Sequence, residues 1–504
     1  MSSAKQEKPL VIIASNRGPF SFTAHKDNTF TPTRGEGGLV TALGSLAEDH
    51  DVVWVASAIE RGDRAWTRYH NHAVQVIEKI SLKLITHARK SYDQYYNVIS
   101  NPLLWFIQHQ LWDIPRNPLI TYETWKAWED GYVAINRSFA ESIVSICADS
   151  ERPVIILPQD YHLYLVPHFL RNMLEKKIQI QPFIHIPWPG PDAWRIMPAQ
   201  IRDSILTSLL ASDRIGFQTK KDAFNFVQTC RFYLPHVSSR GTRDKIYIDD
   251  RCVQAICYPI SVDVDKLKQI SESPQTHLEK SQLISSIGDH KLLLRVDRIE
   301  PSKNILRGFK AYRTLLDRFP EHRGKIHMLA LLVPSRMEVG EYQDYLQEVM
   351  AEAGMINADF SEAFWEPIRV IVGHNYHRAI AAMQLYDVLV VNPIADGMNL
   401  VAKEGALVNQ KDGVIVLSEH AGAFYELGDY SLSVSPFDIH STAEEMNRAL
   451  TMPAEDRTIR AQELRRIVKE KDVKHWFFSQ VEDALRELNN VDNNLSTPST
   501  PDMT

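Results

Sequence analysis

The sequence predicts an α/β chain built of two doubly wound parallel-sheet domains, and three observations predict it. Short apolar runs rich in Val, Ile and Leu recur: "LVIIAS", "DVVWVAS", "PVIILP", "QPFIHI", "KLLLRV", "HMLALLV", "RVIVG", "DVLVVNP" and "GVIVLS". Each is one strand long and apolar on both faces, the pattern of a buried strand in a parallel sheet. Amphipathic helical patterns lie between the runs, and that alternation makes doubly wound layers. The runs also fall into two blocks, Leu10 to about Pro259 and His290 to about Pro436, in a chain of 504 residues, a length that suits two or three ordinary domains.

Bulk composition excludes several function classes. Hydrophobic residues make up 44% and charged residues 24%, an ordinary globular balance. The formal net charge is -7 and no long basic block occurs, which argues against nucleic-acid binding. The start "MSSAKQEKPLVIIASN" lacks a signal-peptide apolar core with a small-residue cleavage site. No run approaches the ~18 apolar residues of a membrane span. Cys252 and Cys257 are too far apart for a C-x-x-C pair and have no histidine close by. With Cys147 and Cys230 they are expected to be reduced structural thiols, and the expected compartment is the cytoplasm.

In such folds ligands sit beyond the carboxyl ends of the strands, in a cleft between the two domains, so the loops after the apolar runs carry the candidates. In the first block, "IIASNRGP" ends a strand at Asn16 and Arg17. "RGEGGLVTALGSL" is a glycine turn feeding a helix, with Gly37 and Gly38 at its mouth; it is not G-x-G-x-x-G and is a weak phosphate-loop signal alone. "YYNVISNPLLW" sets Tyr96 and Trp105 nine residues apart, as core aromatics or as sugar-stacking ones. "ILPQDYHL" places Asp160 and His162 after a strand, and "FIHIPWPGP" places His185 at a strand end. A lone histidine is more often a structural hydrogen-bonding residue than a catalyst. "DRCVQAICYPISVDVD" then reads as a strand, a turn and a crossover.

In the second block, "LLLRVDRIEPSKN" ends a strand in Asp297, Arg298 and Glu300. Ser302 is the expected N-cap of the next helix, which puts Lys303 in its first turn. A cation there is disfavoured by the helix dipole unless an anion binds between it and Arg298. The alternative is a solvated loop paired to Asp297 and Glu300. Ile305, Phe309, Tyr312, Leu316 and Phe319 mark the buried face of the helix that follows. In "PIADGMNL", Gly397 allows close backbone approach, and the N–H groups of Met398, Asn399 and Leu400 suit an oxyanion or sugar hydroxyls. Asp396 can accept from two hydroxyls at once. Glu404 lies on the apolar side of the helix, where an unpartnered carboxylate costs several kcal/mol. A ribose diol or a buried arginine would satisfy it. The end "VKHWFFSQVEDALRELNN" is an amphipathic helix, and "VDNNLSTPSTPDMT" is expected to be disordered. The expected divisions are residues 1–259, 260–470, a helix over 471–490 and a tail over 491–504.

In this order, the pieces resemble trehalose-6-phosphate synthases, retaining glycosyltransferases of family 20 with the two-Rossmann GT-B fold. The motifs run from about Leu10 to Asn489 in family order: "SNR", the "GG" turn, "YYN…SN…LW", "DYHL", "HIPWP", "RVDRIEPSKN", "PSR", "DGMNLVAKE" and "LSEHAGA". The resemblance implies two domains facing a cleft, with the C-terminal helix crossing back to the N-terminal domain. It implies that Arg298 and Lys303 grip the donor diphosphate and that Glu404 holds the nucleotide ribose. Asp396 with the backbone of Gly397, Met398, Asn399 and Leu400 would contact the donor glucose, and Gly37 and Gly38 would approach the donor phosphates. His185 would lie beside the transferred sugar and Asp160 near the acceptor. Arg17, Tyr96, Trp105 and Arg336 would surround the acceptor's 6-phosphate.

The implied reaction moves glucose from a nucleotide-glucose to C1 of glucose 6-phosphate and gives α,α-trehalose 6-phosphate. No cofactor and no metal are implied, since the nucleotide-glucose is a substrate; Asp263 and Asp265 of "DVD" read as structural. No phosphatase domain is apparent, so the product is expected to remain a phosphate ester. The oligomeric state stays open, a homo-oligomer included.

Several positions depart from the commonest family pattern. "SNRGP" replaces "SNRLP", "WVAS" replaces a "GWSG"-like segment and "RIEPSKN" replaces "RLDYSKG". Gln159 stands where a histidine is usual and Ala395 where an arginine is. The lost cation leaves UDP-, GDP- and ADP-glucose open as donors. Two other readings remain. One is a relative with another acceptor or donor, such as a glucosylglycerol-phosphate synthase or a pseudo-glycosyltransferase. The other is a catalytically silent sugar-phosphate sensor, against which the presence of Arg298, Lys303, Asp396 and Glu404 argues.

Overall fold

The run "LVIIAS" forms strand β1 (Leu10–Ser15), and every residue in it is buried. It lies inside a six-stranded sheet of the computed structural model, which describes residues 9–35, 51–148, 150–174, 178–336 and 338–495, with side chains to residue 488. The chain forms two compact units. One holds the described residues up to Tyr258 together with those from Lys474 onward; the other is Pro259–Val473.

In the first unit, β2 (Phe20–Ala24) and β3 (Phe30–Arg34) form an antiparallel hairpin. The main sheet adds β4 (Val52–Ser57), β5 (Gln75–Ile77), β6 (Ile80–Ile85), β7 (Val154–Pro158) and β8 (Ile178–Ile180), in the order β5–β6–β4–β1–β7–β8. All its pairs are parallel except the edge pair β5–β6. β9 (Phe183–Ile184), β10 (Arg214–Phe217), β11 (Lys245–Ile248) and β12 (Arg251–Cys257) form a second sheet in the order β11–β12–β10–β9. A parallel bridge from Gln159 to Phe183 joins the exit of β7 to the start of β9.

The helix Val473–Leu495 belongs to this unit from Lys474 onward. Its Trp476 packs edge-on against Phe183 at 5.1 Å, and Arg214 pairs with its Asp483 and Glu487 at 3.4 and 2.6 Å. The helix enters the segment 491–504 expected to be disordered, because no glycine or proline interrupts it before Pro498.

In the second unit, β13 (Lys291–Arg298), β14 (Ile326–Val333), β15 (Ile368–Val372), β16 (Val388–Val391), β17 (Val414–Ser418) and β18 (Leu432–Val434) form one all-parallel sheet. Its order is β15–β14–β13–β16–β17–β18. The chain winds outward from β13, then returns to start again beside it at β16. That reversal opens a crevice at the carboxyl ends of β13 and β16, the usual ligand position in such sheets. In the first unit the reversal falls between β1 and β7.

Two expectations need correction. "RVIVG" is not buried on both faces: β15 is an edge strand, and Arg369 and Val372 are exposed. The helix expected to open at Ser302 begins at Ile305. Pro301–Lys303 form a separate 3₁₀ turn, and Asn304 breaks it in a left-handed conformation, φ 58° and ψ 38°. From Ile305 to Leu316 the buried face is as the spacing predicts. Asp263, of the "DVD" segment, caps the helix Val264–Ser271 by accepting from the Lys266 N–H at 3.0 Å.

Candidate active site

The loops after β13 and β16 meet through one ion pair. Lys303 Nζ donates to Asp396 Oδ2 at 2.5 Å, and Asn399 Nδ2 donates to the same oxygen at 3.0 Å. The Asp396 backbone is held by the loop after β17: its N–H donates to the His420 carbonyl and its carbonyl accepts from the Gly422 N–H. Gly422 must be glycine for this, since a Cβ there would lie 1.7 Å from the Gly397 carbonyl oxygen. Asn399, at φ 77°, caps the helix Leu400–Val408 by accepting from the Ala402 N–H at 3.2 Å. The first N–H groups of a helix have no intrahelical acceptor and carry its positive end. Asp396 and this helix start thus set a carboxylate acceptor beside backbone donors, groups of the kind that suit hydroxyls and oxyanions, with Lys303 seated between them.

The pairing that the solvated-loop alternative expects is present between Arg298 and Glu300. Arg298 Nη1 lies 3.1 Å from Glu300 Oε1 while its side chain stays 47% exposed. Arg336, only 7% exposed, meets the same oxygen at 3.0 Å and donates to the Tyr342 hydroxyl at 2.8 Å. Ser335 Oγ adds a third donor at 2.9 Å. Burial pushes the Glu300 carboxyl upward, but Arg298, Arg336 and Lys303 outweigh it and hold its pKa down at about 2. Lys303 itself pairs across the crevice with Asp396.

Glu404 is half-buried, and Tyr376 donates its hydroxyl to Oε1 at 3.0 Å. Among the described residues no lysine or arginine pairs with it, so the arginine alternative is not what the fold provides. Burial raises its pKa to about 7, against a smaller lowering by the Tyr376 hydroxyl.

In the first unit, Arg17 is exposed at the end of β1, and its neighbour Asn16 accepts from Ser57 Oγ and the Tyr92 hydroxyl. Tyr92 stacks on Tyr96, and Tyr96 stacks on His162 at 5.8 Å. Trp105 is buried and tilts against Tyr161 at 5.6 Å. The Tyr161–His162 pair of "DYHL" therefore stands between the two aromatics singled out in the sequence. Tyr96 lies on a π-helical segment, Gln94–Leu104, a rare form that is frequent at functional sites.

Asp160 sits at φ 68° and ψ 176°, a region almost reserved for glycine. The fold holds it there: its N–H donates to the Phe183 carbonyl at 2.7 Å, and its Oδ1 accepts from the His185 N–H at 3.1 Å. The His185 ring is clamped at both nitrogens. Gln159 Nε2 donates to the Leu157 carbonyl, which turns Oε1 toward His185 Nε2 at 3.0 Å. Nε2 must then carry the proton, and Nδ1 accepts from Gln218 Nε2 at 3.2 Å. Burial lowers the His185 pKa to about 3, so the ring is neutral at physiological pH.

The fold brings Lys303, Asp396, Asn399 and the Leu400 helix start together, and separately Asp160 with His185. It places Arg298 and Arg336 on one carboxylate. Arg336 belongs to the second unit, whereas Arg17, Tyr96 and Trp105 belong to the first. Gly37 and Gly38 lie outside the described residues. Sequence reading missed Tyr376, Gln218, Gly422 and Arg295. Gln218 could have been found, since it follows strand β10; Tyr376 and Gly422 act through partners distant in the chain, and Arg295 meets Asp297, Asn392 and the Lys303 carbonyl at once only in the fold.

Comparison with known proteins bears on this geometry. The model of Glycosyltransferase family 20 matches residues 9–486. A relative named Probable alpha,alpha-trehalose-phosphate synthase [UDP-forming] 2, from Arabidopsis thaliana, is 29% identical over 97% of this chain and 58% of its own length. A Trehalose-6-phosphate synthase from Sodalis glossinidius is 31% identical over 89% of this chain and 91% of its own. The chain thus spans less than two thirds of the plant relative and nearly all of the bacterial one. Among solved structures, one from E. coli bound with UDP-2-fluoro glucose has a TM-score of 0.82 at 27% identity, covering 94% of this chain and 98% of that one. A UDP-forming alpha,alpha-trehalose-phosphate synthase from Burkholderia xenovorans in complex with glucose-6-phosphate has a TM-score of 0.81 at 27% identity, covering 95% and 100%.

Proposed function

The chain belongs to glycosyltransferase family 20, with the GT-B fold, and we propose on that premise that it moves glucose with retention from a nucleotide-glucose to glucose 6-phosphate, giving α,α-trehalose 6-phosphate. The observation that carries this reading is the Lys303–Asp396 pair at the β13/β16 crevice. Each member is the kind of group the donor needs: a cation for the diphosphate and a carboxylate for the sugar hydroxyls. A bound donor offers each of them a partner of its own. Phosphate oxygens would draw Lys303 from Asp396, which then accepts from two hydroxyls, helped by the backbone of Gly397 to Leu400.

The remaining roles follow from chemistry. As the glycosidic bond breaks, the anomeric carbon becomes oxocarbenium-like and charge grows on the leaving diphosphate. Arg298, Lys303 and the helix start stabilise that charge. Glu404 accepts from the ribose diol. Arg17, Tyr96, Trp105 and Arg336 recognise the acceptor and its phosphate, and Asp160 orients an acceptor hydroxyl. His185 stays beside the transferred sugar as a neutral group. Both its ring nitrogens are engaged, and the resemblance to retaining enzymes implies that the proton of the attacking hydroxyl goes to the departing diphosphate. UDP-glucose leads among the donors because the Arabidopsis relative and the Burkholderia structure are named as UDP-forming, and GDP- and ADP-glucose stand behind it. Incubation with glucose 6-phosphate and each nucleotide-glucose, with trehalose 6-phosphate detected by mass, tests the reading. No product with any donor would overturn it.

A further inference from the structure

We propose that Arg295 is a positioning residue for the donor diphosphate: it braces the backbone of Lys303, so that the ammonium group starts from one fixed position, against Asp396, when the phosphates draw it away. The inference rests on Lys303 gripping the donor.

Arg295 lies on β13, 1% exposed. A buried guanidinium is seldom needed for stability, because packed apolar residues serve as well or better. Its three partners say what it does instead. Nε lies 2.8 Å from Asp297 Oδ2, Nη1 donates to Asn392 Oδ1 at 2.7 Å, and Nη2 donates to the Lys303 carbonyl. One planar fork thus ties β13, the exit of β16 and the Lys303 turn, the three edges of the crevice. Arginine alone has donors fixed at these mutual angles; the single ammonium of lysine does not.

Two further residues are shaped around it. Gly308 lies inside a helix, where glycine is the poorest former after proline. A Cβ there would stand 2.1 Å from Arg295 Nη1 and 3.2 Å from Asn392 Oδ1, so the missing side chain is the seat of the guanidinium. Asn304, left-handed next to Lys303, donates from Nδ2 to the Asn392 carbonyl at 2.9 Å and to the Pro436 carbonyl at 2.7 Å. The turn carrying Lys303 is therefore fixed from both sides while Nζ alone reaches Asp396.

The test uses the whole protein and two variants. Arg295→Lys keeps the charge and loses the fork; Gly308→Ala displaces the fork from outside. UDP, GDP and ADP are titrated separately by calorimetry, and steady-state rates are measured against donor and acceptor in turn. Per folded molecule, both variants should bind the nucleoside diphosphate more weakly and lose about 10- to 100-fold in kcat, the effect of a displacement near 1 Å. The KM for glucose 6-phosphate should not change. Wild-type nucleotide affinity and kcat in either folded variant would overturn the brace. Equal loss for donor and acceptor would also overturn it, since that marks general damage. A wild-type protein that binds none of the three nucleotides would overturn the donor reading itself.

Discussion

Tyr376 donates its hydroxyl to Glu404 across two helices, and that contact holds the carboxylate whose pKa burial has raised to about 7. Two pH effects follow with opposite consequences. The native state binds the Glu404 proton more tightly than the unfolded chain does, where the carboxyl titrates near 4.5. This contribution to stability is full below pH 4.5 and is lost as pH rises through about 7. Glu404→Gln should therefore be more stable than wild type at pH 8, by on the order of 1 kcal/mol, and the gap should close toward pH 4.5. Thermal melts across that range check it.

Donor affinity should respond the other way. A ribose diol donates to an ionised Glu404, so protonation competes with the donor. The donor KM should rise as pH falls below about 7, while the KM for glucose 6-phosphate stays flat over the same step. A donor KM independent of pH between 5.5 and 8 would remove Glu404 from the ribose.

Arg298 and Lys303 should separate activity from stability. Arg298 is nearly half exposed but helps keep the buried Glu300 ionised, so Arg298→Ala should cost about 1 kcal/mol of stability, with Arg336 and Ser335 still serving that carboxylate. Lys303→Ala leaves Asp396 short of its cation and should cost somewhat more. Either change should lower kcat about 10²–10³-fold. Purified variants measured by melting and by product formation give both numbers, and an active Arg298→Ala enzyme would contradict the diphosphate role.

Backbone conformation makes Asp160 a test of strain. At φ 68° and ψ 176° glycine is at ease and alanine is not. Asp160→Gly should be more stable than Asp160→Ala by about 1–3 kcal/mol, the reverse of the usual order of these residues. Both should lose activity, since both lose the carboxylate beside His185. Equal stabilities would mean that the local backbone relaxes in the variants.

His87 lies behind the proposed acceptor contacts, bonded to Ser57 and stacked on Tyr92, which in turn stacks on Tyr96. Burial lowers its pKa from 6.5 to about 4, so the unfolded chain binds this proton more readily. Its contribution to stability is present above pH 6.5 and is lost as pH falls toward 4. His87→Gln should flatten the acid side of the stability curve. An unchanged acid slope would place the acid-labile group elsewhere.

The strands and the order of the loops were legible in the sequence because both are written locally. A run such as "LVIIAS" is apolar on both faces and can only be buried, and "DGMNLVAKE" carries its turn, its cap and its helix within a few residues. Even the left-handed Asn304 answers to a local rule: after glycine, asparagine is among the side chains that best tolerate that conformation.

Pairings were a different matter, because each joins residues far apart in the chain. Lys303 could have paired with Glu300 or Asp297, and Glu404 with any arginine. The sheet order β14–β13–β16 sets Lys303 against Asp396 instead, and the packing of two helices gives Glu404 a tyrosine. The first turn of the 305–318 helix moved for the same reason. Ser302 had the right local chemistry for a cap, but the hydrogen bonds of Asn304 to the Asn392 and Pro436 carbonyls fix the chain reversal two residues later. Composition and spacing thus determined which groups are available. The parallel sheet, by choosing which strand ends lie side by side, decided which of them meet.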